Sequence, residues 1–212
     1  MDRTILKSFS LGSFFTNCYL LFNEDTKDAI IIDAPEDILT VCSYIKDNNL
    51  KVHCVMLTHG HIDHIKGLNQ IEFPFYIHRE DRKFLVSPGL NLSSLLLEEP
   101  FKVGRLPLLL NEKILRLGSF EIEVIHTPGH TPGSVSFKLR DWLFCGDTLF
   151  FDSIGRVDLP YASYPVLISS IKEKIVSLKD QILVFPGHGP STTIKREKEF
   201  NPFLVSDFNL RK

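Results

Sequence analysis

Short apolar runs, separated by polar or Gly/Pro-containing breaks, recur along this chain. Residues 18–22 and 29–32 are two such runs on either side of a polar turn at 23–28, which predicts a hairpin. Over 35–48 the period changes. Ile38, Val41, Tyr44 and Ile45 share one helical face, Pro35 stands near the start and acidic residues fill the first turn, so a helix is predicted. Strands are predicted at 52–57 and 75–77, and a helix at 80–86. The second half resumes with strands at 114–117, 120–125, 134–139 and 142–145. A helix at 164–178 carries Val166, Ile168, Ile171, Ile175 and Leu178 mostly on one side; a last strand at 182–185 and a short helix at 192–200 follow. Interleaved strand and helix signals make this an α/β chain. Residues 87–111 differ. Pro88, Gly89, Pro100, Gly104 and Pro107 interrupt many leucines, too broken for a long helix and too apolar for a free linker. An ordered loop that covers something is expected there, with packing or a subunit contact ahead of a substrate role.

The 52–57 strand delivers Thr58-His59-Gly60-His61-Ile62-Asp63-His64, which places four potential metal ligands within six residues. Alternate side chains leaving a strand can point the same way, so His59 and His61 can share one cation. If a helix follows, Asp63 and His64 swing toward a neighbouring point, a spacing that suits two adjacent ions better than one. Three later motifs repeat the arrangement of apolar strand, Gly/Pro turn and ligand: Thr127-Pro128-Gly129-His130-Thr131-Pro132-Gly133-Ser134, Cys145-Gly146-Asp147-Thr148 and Phe185-Pro186-Gly187-His188-Gly189-Pro190. The set is five histidines and two aspartates: His59, His61, Asp63, His64, His130, Asp147 and His188. Imidazole and carboxylate suit zinc, iron or manganese, and no cysteine is positioned for a thiolate site. A carboxylate can bridge two cations, which makes Asp147, from a distant strand, the natural bridge.

Composition narrows the classes. A length of 212 residues fits one domain, 1–212, and a net charge of −2 gives no broad basic field for nucleic acid. Cys18, Cys42, Cys54 and Cys145 form no CxxC pair and read as reduced thiols. The start, Met1-Asp2-Arg3-Thr4, lacks the basic segment and apolar core of a signal peptide, and no apolar run approaches the ~20 residues of a membrane span, so a cytoplasmic protein is expected.

The combination of THGHIDH, TPGHTPGS, GDTLF and PGHGP resembles the metallo-β-lactamase superfamily, and within it the short glyoxalase II-like hydrolases. The resemblance implies a four-layer αββα sandwich (α+β in the wider sense), with the site at one edge between the sheets. It implies that His59, His61 and His130 hold one divalent cation, that Asp63, His64 and His188 hold a second, and that Asp147 bridges them. Asp63 and Asp147 are the candidate catalytic carboxylates. Zinc is the first expectation for both cations, with iron or manganese as alternatives. The implied reaction is hydrolysis of a small-molecule acyl thioester such as S-lactoylglutathione by a metal-held hydroxide. Glyoxalase II itself carries a further C-terminal helical domain that grips glutathione. This chain ends about two dozen residues after His188, so that domain is expected to be absent and the acyl donor is left open.

Persulfide dioxygenases of the superfamily use one iron on two histidines and an aspartate, matching His59, His130 and Asp147 here; the retention of His61, Asp63, His64 and His188 leans toward the binuclear hydrolase. β-Lactam hydrolysis and other metallohydrolase activities rank lower. His53, His78 and His126 lie on or beside strands and read as structural, with His126 close enough to His130 to support it. Cys145 is expected to face the core. Thr58 and Thr131 are candidates for orienting ligands through hydrogen bonds. Arg156 can pair with Asp158 or hold an anionic substrate, and Lys195, Arg196 and Lys198 read as a solvated helix face.

Overall fold

Alternation along the strands sorts apolar side chains onto two buried faces. Strand β1 spans Thr4–Leu11, β2 Thr16–Asn23, β3 Asp28–Ile32 and β4 Lys51–Met56. On β2, Leu20 and Phe22 face one cluster while Tyr19 and Leu21 face another; on β3, Ile31 opposes Ile30 and Ile32; on β4, Val55 opposes Cys54 and Met56. A strand buried on both faces must lie between two layers. The computed structural model describes residues 3–110 and 113–205. Met1, Asp2 and Asn111, named in the sequence expectations above, lie outside the described residues.

The first sheet is completed by β5 (Phe75–His78) and β6 (Leu108–Leu110), in the order β1-β2-β3-β4-β5-β6. Its first three strands pair antiparallel and β3 to β6 pair parallel. The second sheet is built from β7 (Ile114–Leu117), β8 (Phe120–His126), β9 (Val135–Leu139), β10 (Trp142–Gly146), β13 (Leu183–Pro186) and β14 (Thr192–Thr193). Its order is β14-β13-β10-β9-β8-β7, and a small ribbon pairs β11 (Leu149–Phe150) with β12 (Ser153–Ile154). Phe120, Ile122, Val135, Phe137 and Phe144 of the second sheet meet Tyr19, Leu21, Ile30, Ile32 and Met56 of the first in one central cluster. On the outer face of the first sheet, Val41 and Ile45 of helix α1 (Leu39–Asp47) close a second cluster. On the outer face of the second, Leu143, Cys145 and Val184 pack under Leu167, Ile171 and Ile175. The result is helix, sheet, sheet, helix, the expected four layers.

Several elements depart from expectation. Strand β1 has no strong sequence signal, because it is an edge strand whose apolar alternation is diluted by Lys7 and the exposed Ser8 and Ser10. Helix α1 starts at Leu39 rather than Pro35, since Asp37 takes a left-handed backbone (φ 65°). The 80–86 helix is a 3-10 turn over Arg79–Val86. The 164–178 helix is α-helical as α4 (Tyr164–Ser170) and widens into a π turn over Ile171–Ile175. At the C-terminal side, β14 precedes α5 (Ile194–Phe200) and α6 (Pro202–Val205). The 87–110 segment is ordered by packing. It contains α3 (Ser93–Leu96) and β6, and Leu97, Phe101 and Val103 join the cluster under the first sheet. Among the described residues, no helix is long and apolar enough to cross a membrane.

Candidate metal centre

The first histidine loop leaves β4 between fixed points. Leu57 N–H bonds Tyr76 O (2.9 Å) on one side, and on the other Thr58 is held by both oxygens of Asp33, through N–H to Oδ1 and Oγ1–H to Oδ2, each 2.8 Å. After His61 the chain turns into α2 (Ile62–Ile65), whose Ile62 and Ile65 are fully buried. Each such isoleucine contributes roughly 1.5–3 kcal/mol of burial, enough to pin the short helix that carries Asp63 and His64. Asn91 adds a brace from the 87–110 segment by accepting Ile62 N–H on its carbonyl (2.9 Å). Gly60 is needed for close approach: a Cβ there would sit 2.5 Å from Phe84 Cβ.

The other candidate ligands arrive from the second sheet. His130 sits in a turn closed by Thr127 N–H to Ser134 O (2.9 Å) and Gly129 N–H to Thr131 O (3.0 Å). Gly129 has φ +136° and lies against the backbone of Leu167, which only glycine permits. Asp147 follows Gly146 (φ +49°) at the end of β10. The turn carrying His188 is tied to β2 by Tyr19 Oη–H to Pro186 O (2.6 Å) and by Asn17 Nδ2–H to Pro186 O and Gly189 O (3.0 and 2.9 Å).

Hydrogen bonds outside the cluster decide which ring nitrogen faces inward. His64 Nδ1–H donates to Asp33 Oδ2 (2.8 Å), His130 Nδ1–H to Arg156 O (3.0 Å) and His188 Nδ1–H to Phe14 O (3.1 Å). His59 Nδ1–H donates to Thr58 Oγ1 (3.2 Å), which passes its own proton to Asp33. Each of these four rings therefore turns its Nε2 inward. His61 presents Nδ1 instead, 2.9 Å from His130 Nε2. Two nitrogens on one zinc, at about 2.0–2.1 Å and a tetrahedral angle, would sit roughly 3.3 Å apart.

His59 Nε2, His61 Nε2, His64 Nε2 and Asp147 Oδ1 are buried without a hydrogen-bond partner among the described residues. Each orphan costs about 1–3 kcal/mol unless something satisfies it; cations held among these residues would satisfy His59 Nε2, His64 Nε2 and Asp147 Oδ1, while His61 would ligate through Nδ1. The ligand atoms fall into three groups, each within 4.8 Å: His59, His61 and His130; His59, His64 and Asp147; Asp63, His64 and His188. Asp147 stands between the outer two, with Oδ1 3.3 Å from His64 Nε2 and Oδ2 3.6 and 3.7 Å from the Nε2 atoms of His130 and His188. All seven sequence candidates thus converge, and the donor set is one that could hold divalent metal ions.

Electrostatics agree with that fit. Burial, reinforced by neighbouring imidazoles, pushes His59 and His130 below the usual histidine range and His61 down to about 3, so these rings stay neutral and able to ligate. Burial would raise Asp63 and Asp147, but the imidazole of His64 and, for Asp63, the bond from His188 outweigh it and hold both carboxylates ionised. Burial would lower His64, yet Asp63, Asp33 and Asp147 around it push it upward; this end of the site favours positive charge. His188 is raised likewise, with burial outweighed by its bond to Asp63.

Two supporting residues carry no sequence signal of their own. Asp33 anchors Thr58 and His64, and Asp81 accepts Gly60 N–H (2.9 Å), Gly133 N–H (2.7 Å) and Thr131 Oγ1–H (2.7 Å). The only hint for Asp33 is an acid directly after the apolar run 29–32; Asp81 hides in a charged stretch. The secondary candidates take structural places. His53 pairs with Asp28 (2.7 Å), His78 stacks on His126 (centroids 4.1 Å), and His126 Nε2–H supports the His130 turn through Pro132 O (2.8 Å). Cys145 faces the outer cluster of the second sheet. Arg156 pairs with Asp158 (2.8 Å), Arg196 with Asp152 and Glu197, and Lys198 with Asp180 (2.7 Å).

Known proteins share this architecture. The profile of the metallo-beta-lactamase superfamily matches residues 11–188. The hydroxyacylglutathione hydrolase GloC of Haemophilus influenzae is 36% identical, over 92% of this chain and 95% of its own length. The crystal structure of the BLEG-1 B3 metallo-beta-lactamase is 41% identical with a TM-score of 0.90, covering 95% of this chain and all of the other. That of TTHA1623 in a di-iron-bound form is 32% identical with a TM-score of 0.79, covering 93% of this chain and all of the other. Superfamily members use divalent metal ions, and the seven histidine and aspartate side chains that converge at the sheet ends are groups that could hold them. This chain belongs to the metallo-beta-lactamase superfamily of metal-dependent hydrolases.

Proposed function

We propose that this chain hydrolyses an acyl thioester of the S-lactoylglutathione type with two divalent cations, zinc in the first instance. The observation that carries the reading is the meeting of unpaired, inward-facing imidazole nitrogens and the Asp147 carboxylate, in groups each within 4.8 Å. The similarity to GloC over nearly the whole chain supports the choice of thioester. His59, His61 and His130 would hold one cation, Asp63, His64 and His188 the other, and Asp147 both. When bound, such a pair supplies an ionised water near neutral pH and polarises the acyl carbonyl. No serine or cysteine nucleophile is then required; Cys145, the cysteine nearest the ligands in sequence, is buried with its thiol pushed up to about 12.

The chain's own groups orient and hold protons around that centre. Asp63 Oδ2 is aimed by Thr16 Oγ1–H (3.4 Å) and His188 Nε2 (3.0 Å), and the ionised carboxylates of Asp63 and Asp147 would help hold the cations and orient the water. Phe14, whose carbonyl holds His188, and Phe150, with its ring 6.3 Å from that of His188, give the mouth an apolar edge suited to an acyl group. Arg156, with its backbone on His130 and its guanidinium at the surface beside Asp158, stands at the rim where a carboxylated thiol could be met. Four free thiols fit a reducing, cytoplasmic setting.

The test is turnover of S-lactoylglutathione by metal-loaded protein, followed by thiol release. Absence of thiol release, with oxygen uptake on glutathione persulfide, would move the assignment to iron-dependent sulfur oxidation. A second reading is β-lactam hydrolysis, favoured by the 41% identity to BLEG-1. Turnover of a chromogenic cephalosporin faster than of the thioester would select it.

A further inference from the structure

Asp81 makes three short hydrogen bonds, and all three go to the loops that carry the first histidine group. It lies in the 3-10 turn Arg79–Val86 and is fully buried. Oδ2 accepts Gly60 N–H (2.9 Å), between His59 and His61, and Thr131 Oγ1–H (2.7 Å), next to His130. Oδ1 accepts Gly133 N–H (2.7 Å) on the far side of the same turn. One carboxylate thereby joins a loop from the first sheet to a loop from the second. Both backbone donors are glycines, and a Cβ at Gly133 would lie 2.6 Å from Asp81 Cγ, so the bare backbone is required for the approach there. Phe84, one turn further on, packs its ring against His61 (centroids 5.8 Å). The two imidazoles drawn together are His61 and His130, with nitrogens 2.9 Å apart.

Burying a carboxylate is unfavourable unless its bonds accomplish something. Burial pushes Asp81 up to about 6 even though the bonds from Thr131, Gly133 and Gly60 pull it back. The second ligand group has separate supports: Asp33 for His64 and Phe14 O for His188. We propose that Asp81 is the positioning residue of the first metal group, clamping the His59–His61 loop to the His130 turn so that three imidazoles meet at one cation. This rests on the two-cation reading above.

The clamp needs two acceptors. In Asp81→Asn the amide NH2 must face a donor, either Gly60 N–H or Gly133 N–H, whichever way the amide turns. The test measures zinc affinity by competition with a chromophoric chelator, in two backgrounds. His188→Ala removes a ligand of the second group and leaves the first; His130→Ala does the reverse. Asp81→Asn is expected to weaken zinc about 10- to 100-fold in the His188→Ala background, the range for lost supports of metal ligands, and less than twofold in the His130→Ala background. Thr131→Val, which deletes one bond of the three, is expected to produce a smaller loss in the same background and serves if Asp81→Asn fails to fold. Equal weakening in both backgrounds, or none in either, overturns the clamp. Zinc uptake by the parent that is absent altogether would instead overturn the two-cation reading beneath it.

Discussion

Replacing Asp33 by asparagine should cripple the second cation site without touching any ligand. Asp33 and His64 side chains are 2% and 0% exposed, so water cannot substitute for what is lost. The carboxylate accepts three bonds of 2.8 Å: His64 Nδ1–H and Thr58 Oγ1–H on Oδ2, and Thr58 N–H on Oδ1. If the asparagine oxygen stays on Thr58 N–H, its NH2 faces His64 Nδ1. That nitrogen must then accept, the ring proton moves to Nε2, and the lone pair aimed at the site is lost. Restoring the ligating tautomer sets N–H against N–H at a cost of about 1–3 kcal/mol, which is roughly 5- to 150-fold in affinity for the second cation. If the amide flips, the conflict moves to Thr58 N–H and loosens His59 through Thr58 Oγ1. Chelator competition for each cation, with thermal unfolding of the metal-free protein beside it, reads both outcomes. An Asp33→Asn protein that binds two cations with parent affinity and unfolds at the parent temperature would refute the reasoning.

Other expectations follow from the same geometry. Asp147→Ala should lower turnover by at least ~10³-fold while metal-free stability stays within about 1 kcal/mol, because its Oδ1 is an unsatisfied buried atom in the metal-free fold; kinetics and urea unfolding check the pair. Gly129→Ala should destabilise by about 2 kcal/mol or more and reduce zinc uptake, since φ +136° and the Leu167 backbone exclude a Cβ; a small change in urea midpoint would contradict this. Asp28 is held below its usual 3.8 first by the bond from His53, then by Thr26 and Ser119. Its stabilisation, about 1 kcal/mol, should be fully present above pH ~4 and vanish as pH falls through the lower folded value, so Asp28→Asn and parent should converge in stability at acid pH; a gap that widens there would reverse the sign.

The seven candidate ligands that the fold brings together were legible because ligation restricts residue type and because each lies in a loop after an apolar strand, with Gly or Pro beside it in most cases. Thr58-His59-Gly60-His61 and Thr127-Pro128-Gly129-His130 carry their own backbone instructions. The supports were not legible in the same way. Asp33 and Asp81 act on backbone N–H groups 25 and 21 to 52 residues away, and such contacts exist only once the sheets have met. The same distinction explains the fold. Strands buried on both faces, such as β3, stand out as unbroken apolar runs, whereas β1 at the sheet edge dilutes its pattern with Lys7, Ser8 and Ser10. The 87–110 segment reveals order through its leucines but hides β6, whose pairing with β5 is set by parallel contacts distant in sequence.

The most direct test of the central claim is a titration of metal-free protein with zinc while S-lactoylglutathione hydrolysis is followed. Turnover that rises to a maximum at two cations per chain is the predicted result. A maximum at one cation, or no thiol release at any loading, would contradict a paired-cation thioesterase.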